Sequence, residues 1–310
     1  MTELSPPSQT ETPRARFRPS WWWLAPLAAA LILLYYPVGM LVMHEIDDDP
    51  EFAPPAGSVQ AGQSRAVAVA ALLVRREVDT HRWTANDPFF QPSWALDDMP
   101  SYQQGIVAAV SRFVSVMAAG GDRDLEKAAG LFKYPGTVWM FDPSTSWAPT
   151  ASAEKQYRLA TRWLDGYNAR LAGGDAVLDR GPGLVRAVLG AVADDLGAAA
   201  LATERMVAEG GVLDGGADDL FHATKGRLYA HRLILRELGW DHAQLLSERE
   251  LGGAWREMLE ALATAALLDP PVVVNGAADS ALLPAHPAGQ GFHLLRARDR
   301  VLRLLDALAK

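Results

Sequence analysis

The segment ADDLFHATKGRLYAHRLILREL, residues 217–238, carries the pattern on which the fold prediction depends. Its core-forming side chains recur at spacings that place them on one face of an α-helix. They are Leu220, Phe221, Thr224, Leu228, Leu235 and Leu238. Charged side chains fall between them: Asp219, Lys225, Arg232 and Arg236. This arrangement predicts a helix that buries one face against neighbouring helices.

Similar segments, separated by loops, fill the chain after residue 60. Pro182 suits a first helical turn, and Gly-Gly pairs at 173–174 and 210–211 suit helix ends. The predicted helices are 61–81, 101–119, 122–131, 152–172, 182–209, 217–238, 242–268 and 285–309. Residues 272–276, VVVNG, favour a strand, but one strand cannot form a sheet, so we interpret them as an extended loop. We therefore predict an all-α fold, with a large helical bundle or array over residues 61–310.

An uncharged apolar stretch covers residues 21–43. As a helix it would extend about 34 Å, enough to cross a hydrocarbon core of about 30 Å. Basic residues precede it and acidic residues follow it: Arg14, Arg16, Arg18, Glu45, Asp47, Asp48, Asp49 and Glu51. Because basic residues tend to stay in the cytoplasm, we predict a single transmembrane helix with the N-terminus inside. The lipid bilayer is then the partner of residues 21–43.

A cleaved signal peptide is the alternative interpretation of this stretch. The charge order fits, but the apolar run exceeds a usual signal-peptide core, and no A-x-A-like cleavage site precedes the acidic cluster. Pro37 with Gly39 predicts a kink or an end to the helix. Tyr35 and Tyr36 suit an aromatic belt, although they lie deep if the helix continues to Met43.

The flanking segments complete the predicted organisation. Residues 1–20 are rich in Pro, Ser, Thr and Glu and are predicted to be a disordered cytoplasmic tail. Residues 44–60 contain three prolines and are predicted to be a stiff, extended linker that lifts the domain off the membrane. Residues 61–310 form the predicted helical domain outside the cytoplasm.

Composition excludes several classes of function. The chain has 37 acidic and 29 basic residues, a net charge of −8, and no clustered basic face, which argues against nucleic acid as a partner. The chain has no cysteine, so disulfides, thiolate catalysis and Cys-based zinc sites are excluded. Its Gly-rich patches match neither phosphate-loop nor dinucleotide motifs. We predict no cofactor.

Two loops rich in aromatic residues interrupt the helices, one from Trp83 to Pro100 and one from Lys133 to Thr150. Long loops in compact domains are usually functional or tightly packed. We expect their aromatic side chains to fold down over the helices, because exposure of so much apolar surface is unfavourable. If the loops instead form a binding surface, its candidate residues are Asp87, Lys133, Asp142 and Ser144. Ser144 lacks the surroundings of a serine nucleophile, and turn formation explains its segment better.

Asp218 and His222 form the nearest approach to a metal site. Their spacing of four residues places a carboxylate and an imidazole on one helical face. A metal usually needs three or four protein ligands, and the sequence shows no second pair. We therefore favour a role for Asp218 and Asp219 at the helix N-terminus, and keep Asp218 with His222 as a weak metal candidate.

Several motifs carry a resemblance to a known family. They are WTANDPFFQP from residue 83, KYPGTVW from 133, DPSTSWAPTAS from 142, KGRLY from 225 and DPPVVVNG from 269. With these motifs, nearly the whole chain resembles the bacterial family named domain of unknown function 2333. The resemblance implies a Gram-negative host and a periplasmic location for the domain. It implies no reaction and no catalytic residue.

These observations together predict a non-enzymatic protein of the bacterial inner membrane. Its periplasmic helical domain is expected to act as a scaffold or to bind a protein partner in the cell envelope. The alternative is an envelope-modifying hydrolase with its site between the two aromatic loops. A ligand-binding sensor fits less well, because a tail of about 20 residues is too short for a cytoplasmic output domain.

Overall fold

The computed structural model describes residues 23–141, 147–212, 214–276 and 283–310, and it confirms the all-α fold class. The helices are α1 (Leu24–Met43), α2 (Arg65–Arg75), α3 (Asp98–Ala118), α4 (Arg123–Phe132), α5 (Ala153–Gly173), α6 (Pro182–Glu209), α7 (Gly215–Asp241), α8 (Ala243–Glu248), α9 (Gly252–Ala266) and α10 (His286–Ala309). A π-helical turn, Arg76–Thr80, continues α2, and a 3-10 turn, Pro92–Ala95, precedes α3.

Helix α7 is the centre of the array, and its closest neighbour is α3. Glycines allow this approach: a Cβ added to Gly105 would lie 2.1 Å from the Ala223 carbonyl oxygen. A Cβ added to Gly226 would lie 2.1 Å from the Tyr102 carbonyl oxygen. Helices α2, α4 and α5 pack on one side of this pair, and α6, α9 and α10 pack on the other. The seam between α3 and α7 therefore joins the two halves of the core.

The sequence predicted most helices near their observed limits, with two differences of detail. The predicted helix 61–81 begins later, because the Ser64 side chain accepts a hydrogen bond from Val67 N and caps α2. The predicted helix 242–268 is two helices, since Glu250 adopts a left-handed backbone conformation (φ 55°) between α8 and α9. Residues 272–276 are an extended loop as predicted, with one isolated bridge from Asn275 to Ala285.

Helix α1 stands largely clear of the rest of the chain, and none of its residues is buried. It is long and apolar enough to cross a membrane, a property that a signal sequence near an N-terminus would share. Of the two expected effects of Pro37, a kink or an end, the end is wrong, because α1 continues through that residue to Met43. Its half-buried residues lie on one face near its C-terminal end: Tyr36, Gly39, Met40 and Met43.

Residues 45–52, here called the strap, connect α1 to the domain by packing on it. Arginine and tyrosine side chains donate hydrogen bonds to carbonyl oxygens of the strap: Arg76, Tyr102, Tyr229, Arg232 and Arg236. The buried Lys225 ammonium pairs with Asp48 at 2.9 Å. The segment was expected to lift the domain away from the membrane, but these bonds hold its first half against α3 and α7.

Candidate functional site

Asp98, Asp218 and His222 form a cluster where the N-terminal ends of α3 and α7 meet. His222 Nε2 lies 3.4 Å from Asp218 Oδ1 and 3.6 Å from Asp98 Oδ1. His222 is only 5% exposed, whereas the two carboxylates are partly open to solvent. The cluster therefore has a buried imidazole and two partly exposed carboxylates, and the Asp98 Oδ1 atom that faces His222 is buried without a hydrogen-bond partner.

The electrostatics of the cluster disfavour two free carboxylates. Burial, followed by the neighbouring Asp98, raises the pKa of Asp218 to about 7. Burial lowers the pKa of His222, against the opposing effect of the Asp98 charge. Near neutral pH the imidazole is therefore neutral, with a lone pair available, and Asp218 is partly protonated. A bound cation would relieve the repulsion between the carboxyl groups.

The spacing of the donor atoms suits a metal ion. Ligands about 2.1 Å from a metal lie roughly 3.0–3.4 Å apart in octahedral or tetrahedral geometry. The distances of 3.4 and 3.6 Å from His222 Nε2 are close to this range. A mixed set of one imidazole and two carboxylates is typical of zinc and similar divalent metals. Three protein ligands would leave at least one position for water.

The sequence pattern points to Asp218 and His222 but not to Asp98, the third donor of the cluster. Asp98 belongs to a different helix and precedes Asp218 by 120 residues. Only the close packing of α3 on α7 brings Asp98 to the cluster. Asp219, by contrast, accepts a hydrogen bond from Ser101 at 2.9 Å and is not one of the three donors.

Of the four proposed binding residues of the aromatic loops, Asp87 and Lys133 lie within the described residues, each in its own surroundings. Asp87 accepts a hydrogen bond from Ser93 of its own loop, and burial raises the Asp87 pKa. Lys133 is exposed just after α4, at a shallow polar groove that Asp195 also lines. Among the described residues no hydrogen bond or ion pair joins Asp87 to Lys133. Asp142 and Ser144 lie outside the described residues.

The expected packing of the loop aromatics is wrong for most of them. Trp83 is buried and donates its indole N–H to the Gly136 carbonyl at 2.7 Å, which ties the two loops together. Trp139 is half-buried. Phe89, Phe90, Trp94, Phe141 and Trp147 are between 51% and 95% exposed. The loops therefore present a large apolar surface instead of covering helices.

A second apolar surface is the groove between α6 and α10, with a volume of about 1050 Å³. Small residues form part of its floor, and larger side chains stand along it: Gly197, Ala200, Gly291, Leu201, Phe292 and Leu295. Leu201, Phe292 and Leu295 are each more than half exposed. Contiguous exposed apolar surface of this kind marks interaction sites on soluble domains.

Comparison with known proteins adds no relative to these observations. No protein-family model, curated protein or solved structure matches the chain. The resemblance to domain of unknown function 2333 therefore remains a prediction based on the sequence motifs.

Proposed function

We propose that this protein is a single-pass protein of the bacterial inner membrane whose periplasmic helical domain binds or scaffolds another envelope protein. The observation that supports the binding role is the exposed apolar groove between α6 and α10. An amphipathic helix lying in such a groove would place its apolar side chains on the small residues of the floor. The apolar surface of α1, none of whose residues is fully buried, and the charge asymmetry around it support the membrane anchor.

Topology is tested with reporters fused after Lys310. We expect a reporter that works only outside the cytoplasm to be active, and one that works only in the cytoplasm to be silent. Activity of the cytoplasmic reporter would reverse the proposed orientation. A mature protein that has lost its first 50 or so residues would instead support the signal-peptide interpretation.

Partner binding is tested by photo-crosslinking from the groove in intact cells. A photoreactive amino acid at Phe292 samples the groove, and one at Trp240 is the matched control, since both side chains are about two-thirds exposed. We expect a discrete protein adduct from Phe292 and none of the same size from Trp240. Equal adduct patterns from both positions would contradict a binding role for the groove.

The Asp98–Asp218–His222 cluster supports a second candidate function, the binding of a divalent cation. Calorimetric titration of the full-length protein in detergent with Zn²⁺ or Mn²⁺ tests it. We expect Asp218→Asn to abolish the binding heat, while Asp219→Asn removes the same charge one residue along and leaves binding intact. Identical titrations for both variants would show that general negative charge attracts the ion, without a defined site.

The hydrolase alternative gains no support from the described part of the loops. Asp87 is held by Ser93 within its own turn, and Lys133 points to a separate groove. We therefore retain the binding module as the principal proposal.

A further inference from the structure

The first aromatic loop lies alongside the C-terminal half of α1. Tyr35 Oη donates a hydrogen bond to the Phe90 carbonyl at 3.1 Å, and Tyr36 Oη donates one to the Phe89 carbonyl at 2.6 Å. The 3-10 turn Pro92–Ala95 packs on the same helix. A Cβ added to Gly39 would lie only 2.3 Å from Pro92 Cγ, so glycine allows this close approach.

These contacts fix the level of the loop relative to α1. Tyr35 and Gly39 precede the end of the helix at Met43 by eight and four residues. At about 1.5 Å per residue, they lie roughly 12 and 6 Å below that end. The 20 residues of α1 extend about 30 Å, which matches the thickness of a hydrocarbon core. If α1 spans the bilayer, the loop beside it therefore lies within the outer leaflet.

The loop surface at this level is apolar and aromatic. Ring contacts run from Phe89 to Phe90, from Phe90 to Trp139 and from Trp139 to Phe141, with centroid separations of 5.5–5.9 Å. We call these four side chains, together with Trp94, the aromatic platform. No charged residue occurs between Pro88 and Leu96 or between Tyr134 and Phe141. The five platform side chains therefore carry no charge, and the carboxylate of Asp87, just before this part of the first loop, accepts a hydrogen bond from Ser93.

Several polar groups of the first loop have hydrogen-bond partners within the protein. Irregular backbone is tolerated at membrane depth only if its N–H and C=O groups have partners within the protein. The two tyrosine hydroxyls satisfy the carbonyls of Phe89 and Phe90. Within the loop, Gln91 N donates to Pro88 O, Trp94 N to Gln91 O and Leu96 N to Ser93 O, at 2.8–3.1 Å.

We propose that the aromatic platform inserts into the outer leaflet beside α1 and holds the helical domain flat against the bilayer. The proposal rests on the proposed membrane anchor. It favours lipid over a protein partner because the platform is continuous with the surface of α1 that faces lipid. Insertion removes the apolar rings of the platform from water, which is favourable by about 25 cal/mol per Å² of buried surface. An acidic domain needs this apolar contact, since anionic headgroups do not attract it.

The absence of cysteine allows a direct test with single spin labels on the full-length protein. Phe89→Cys and Phe141→Cys sample the two loops of the platform. Leu33→Cys reports on the anchor, and Val177→Cys is a control on an exposed loop between α5 and α6, because both side chains are more than 70% exposed. Each labelled protein is reconstituted into phosphatidylcholine vesicles. The accessibility of the label to oxygen, which concentrates in lipid, is compared with its accessibility to a water-soluble nickel chelate.

We expect labels at 33, 89 and 141 to be several-fold more accessible to oxygen, relative to the chelate, than the label at 177. Lipid exposure at 33 with water exposure at 89 and 141 would overturn the platform proposal and leave the anchor intact. Water exposure at 33 would overturn both. Protection of 89 and 141 from both reagents would mean that protein covers the platform, which also overturns the lipid proposal.

Discussion

The seam between α3 and α7 makes a quantitative prediction about two glycines. In Gly226→Ala the new Cβ would meet the Tyr102 carbonyl oxygen at 2.1 Å, more than 1 Å inside an ordinary contact. Both atoms that collide belong to helix backbone or are attached directly to it, so rotation of a side chain cannot relieve the overlap. In Gly190→Ala, within α6, the new Cβ meets nothing within 4 Å.

The difference between the two variants isolates the cost of the overlap. Replacing glycine by alanine inside a helix contributes about 1 kcal/mol of stability in either position. Overpacking of a tight core costs about 1–3 kcal/mol. We expect a cost near the upper end of this range for Gly226→Ala, because two long helices must move apart to relieve the overlap. Gly226→Ala should therefore lose about 2 kcal/mol, whereas Gly190→Ala gains about 1 kcal/mol. A difference of about 3 kcal/mol corresponds to roughly 6–12 °C in Tm for a domain of this size.

Thermal unfolding of both variants, followed by far-UV circular dichroism in the same detergent, measures this difference. Equal Tm values, or a higher Tm for Gly226→Ala, would refute the close backbone contact between α3 and α7. A lower Tm for Gly190→Ala would show that α6 is not an uninterrupted, unobstructed helix at that position.

Two further predictions concern charged groups. The Asp218 pKa is about 7 in the folded protein, above its usual 3.8. Between these two pH values the native state binds more protons than the unfolded state. The stability of the fold should therefore decrease as pH rises from about 4 to about 7. Asp218→Asn should remove that dependence and unfold at a higher temperature than wild type at about pH 8 but not at about pH 4, as a pH series of melts in metal-free buffer would check. Lys225→Met leaves the Leu268 carbonyl and Asp48 without their buried cation and should cost about 1–3 kcal/mol. Limited proteolysis should then cut the strap faster than in wild type, whereas Lys127→Met, which alters an exposed cation on α4, should not change the rate.

The helices were predictable because their information is local. In α7 the spacing of Phe221, Leu228 and Leu235 reports directly on a buried face, and all three are at most 2% exposed. The sequence did not predict the break between α8 and α9. Glu250 adopts a left-handed backbone conformation there, which residues other than Gly, Asn and Asp rarely adopt. Local periodicity therefore gave the class of fold, while the helix limits depended on individual capping and turn residues.

The candidate sites were less predictable because they depend on distant pairs. The packing of α3 on α7 brings Asp98 close to Asp218, and no sequence pattern within either segment predicts this proximity. The exposure of the aromatic loops was missed because we assumed that water would surround them. One signal was present: if α1 spans a bilayer to Met43, Tyr35 and Tyr36 lie deep for an interfacial belt, and in the structure their hydroxyl groups donate to the loop carbonyls.

The strap has a consequence for the order in which the molecule is completed during synthesis. Its partners Tyr229, Arg232 and Arg236 follow the strap residues they hold by 180–186 positions. A ribosome adding about 5–20 residues per second needs roughly 10–40 s to produce that interval. Throughout this time the α7 part of the surface that will receive the strap does not yet exist, although Arg76 and Tyr102 have already been synthesised. The strap therefore leaves the ribosome before the rest of the domain, but it is among the last segments to complete its native hydrogen bonds.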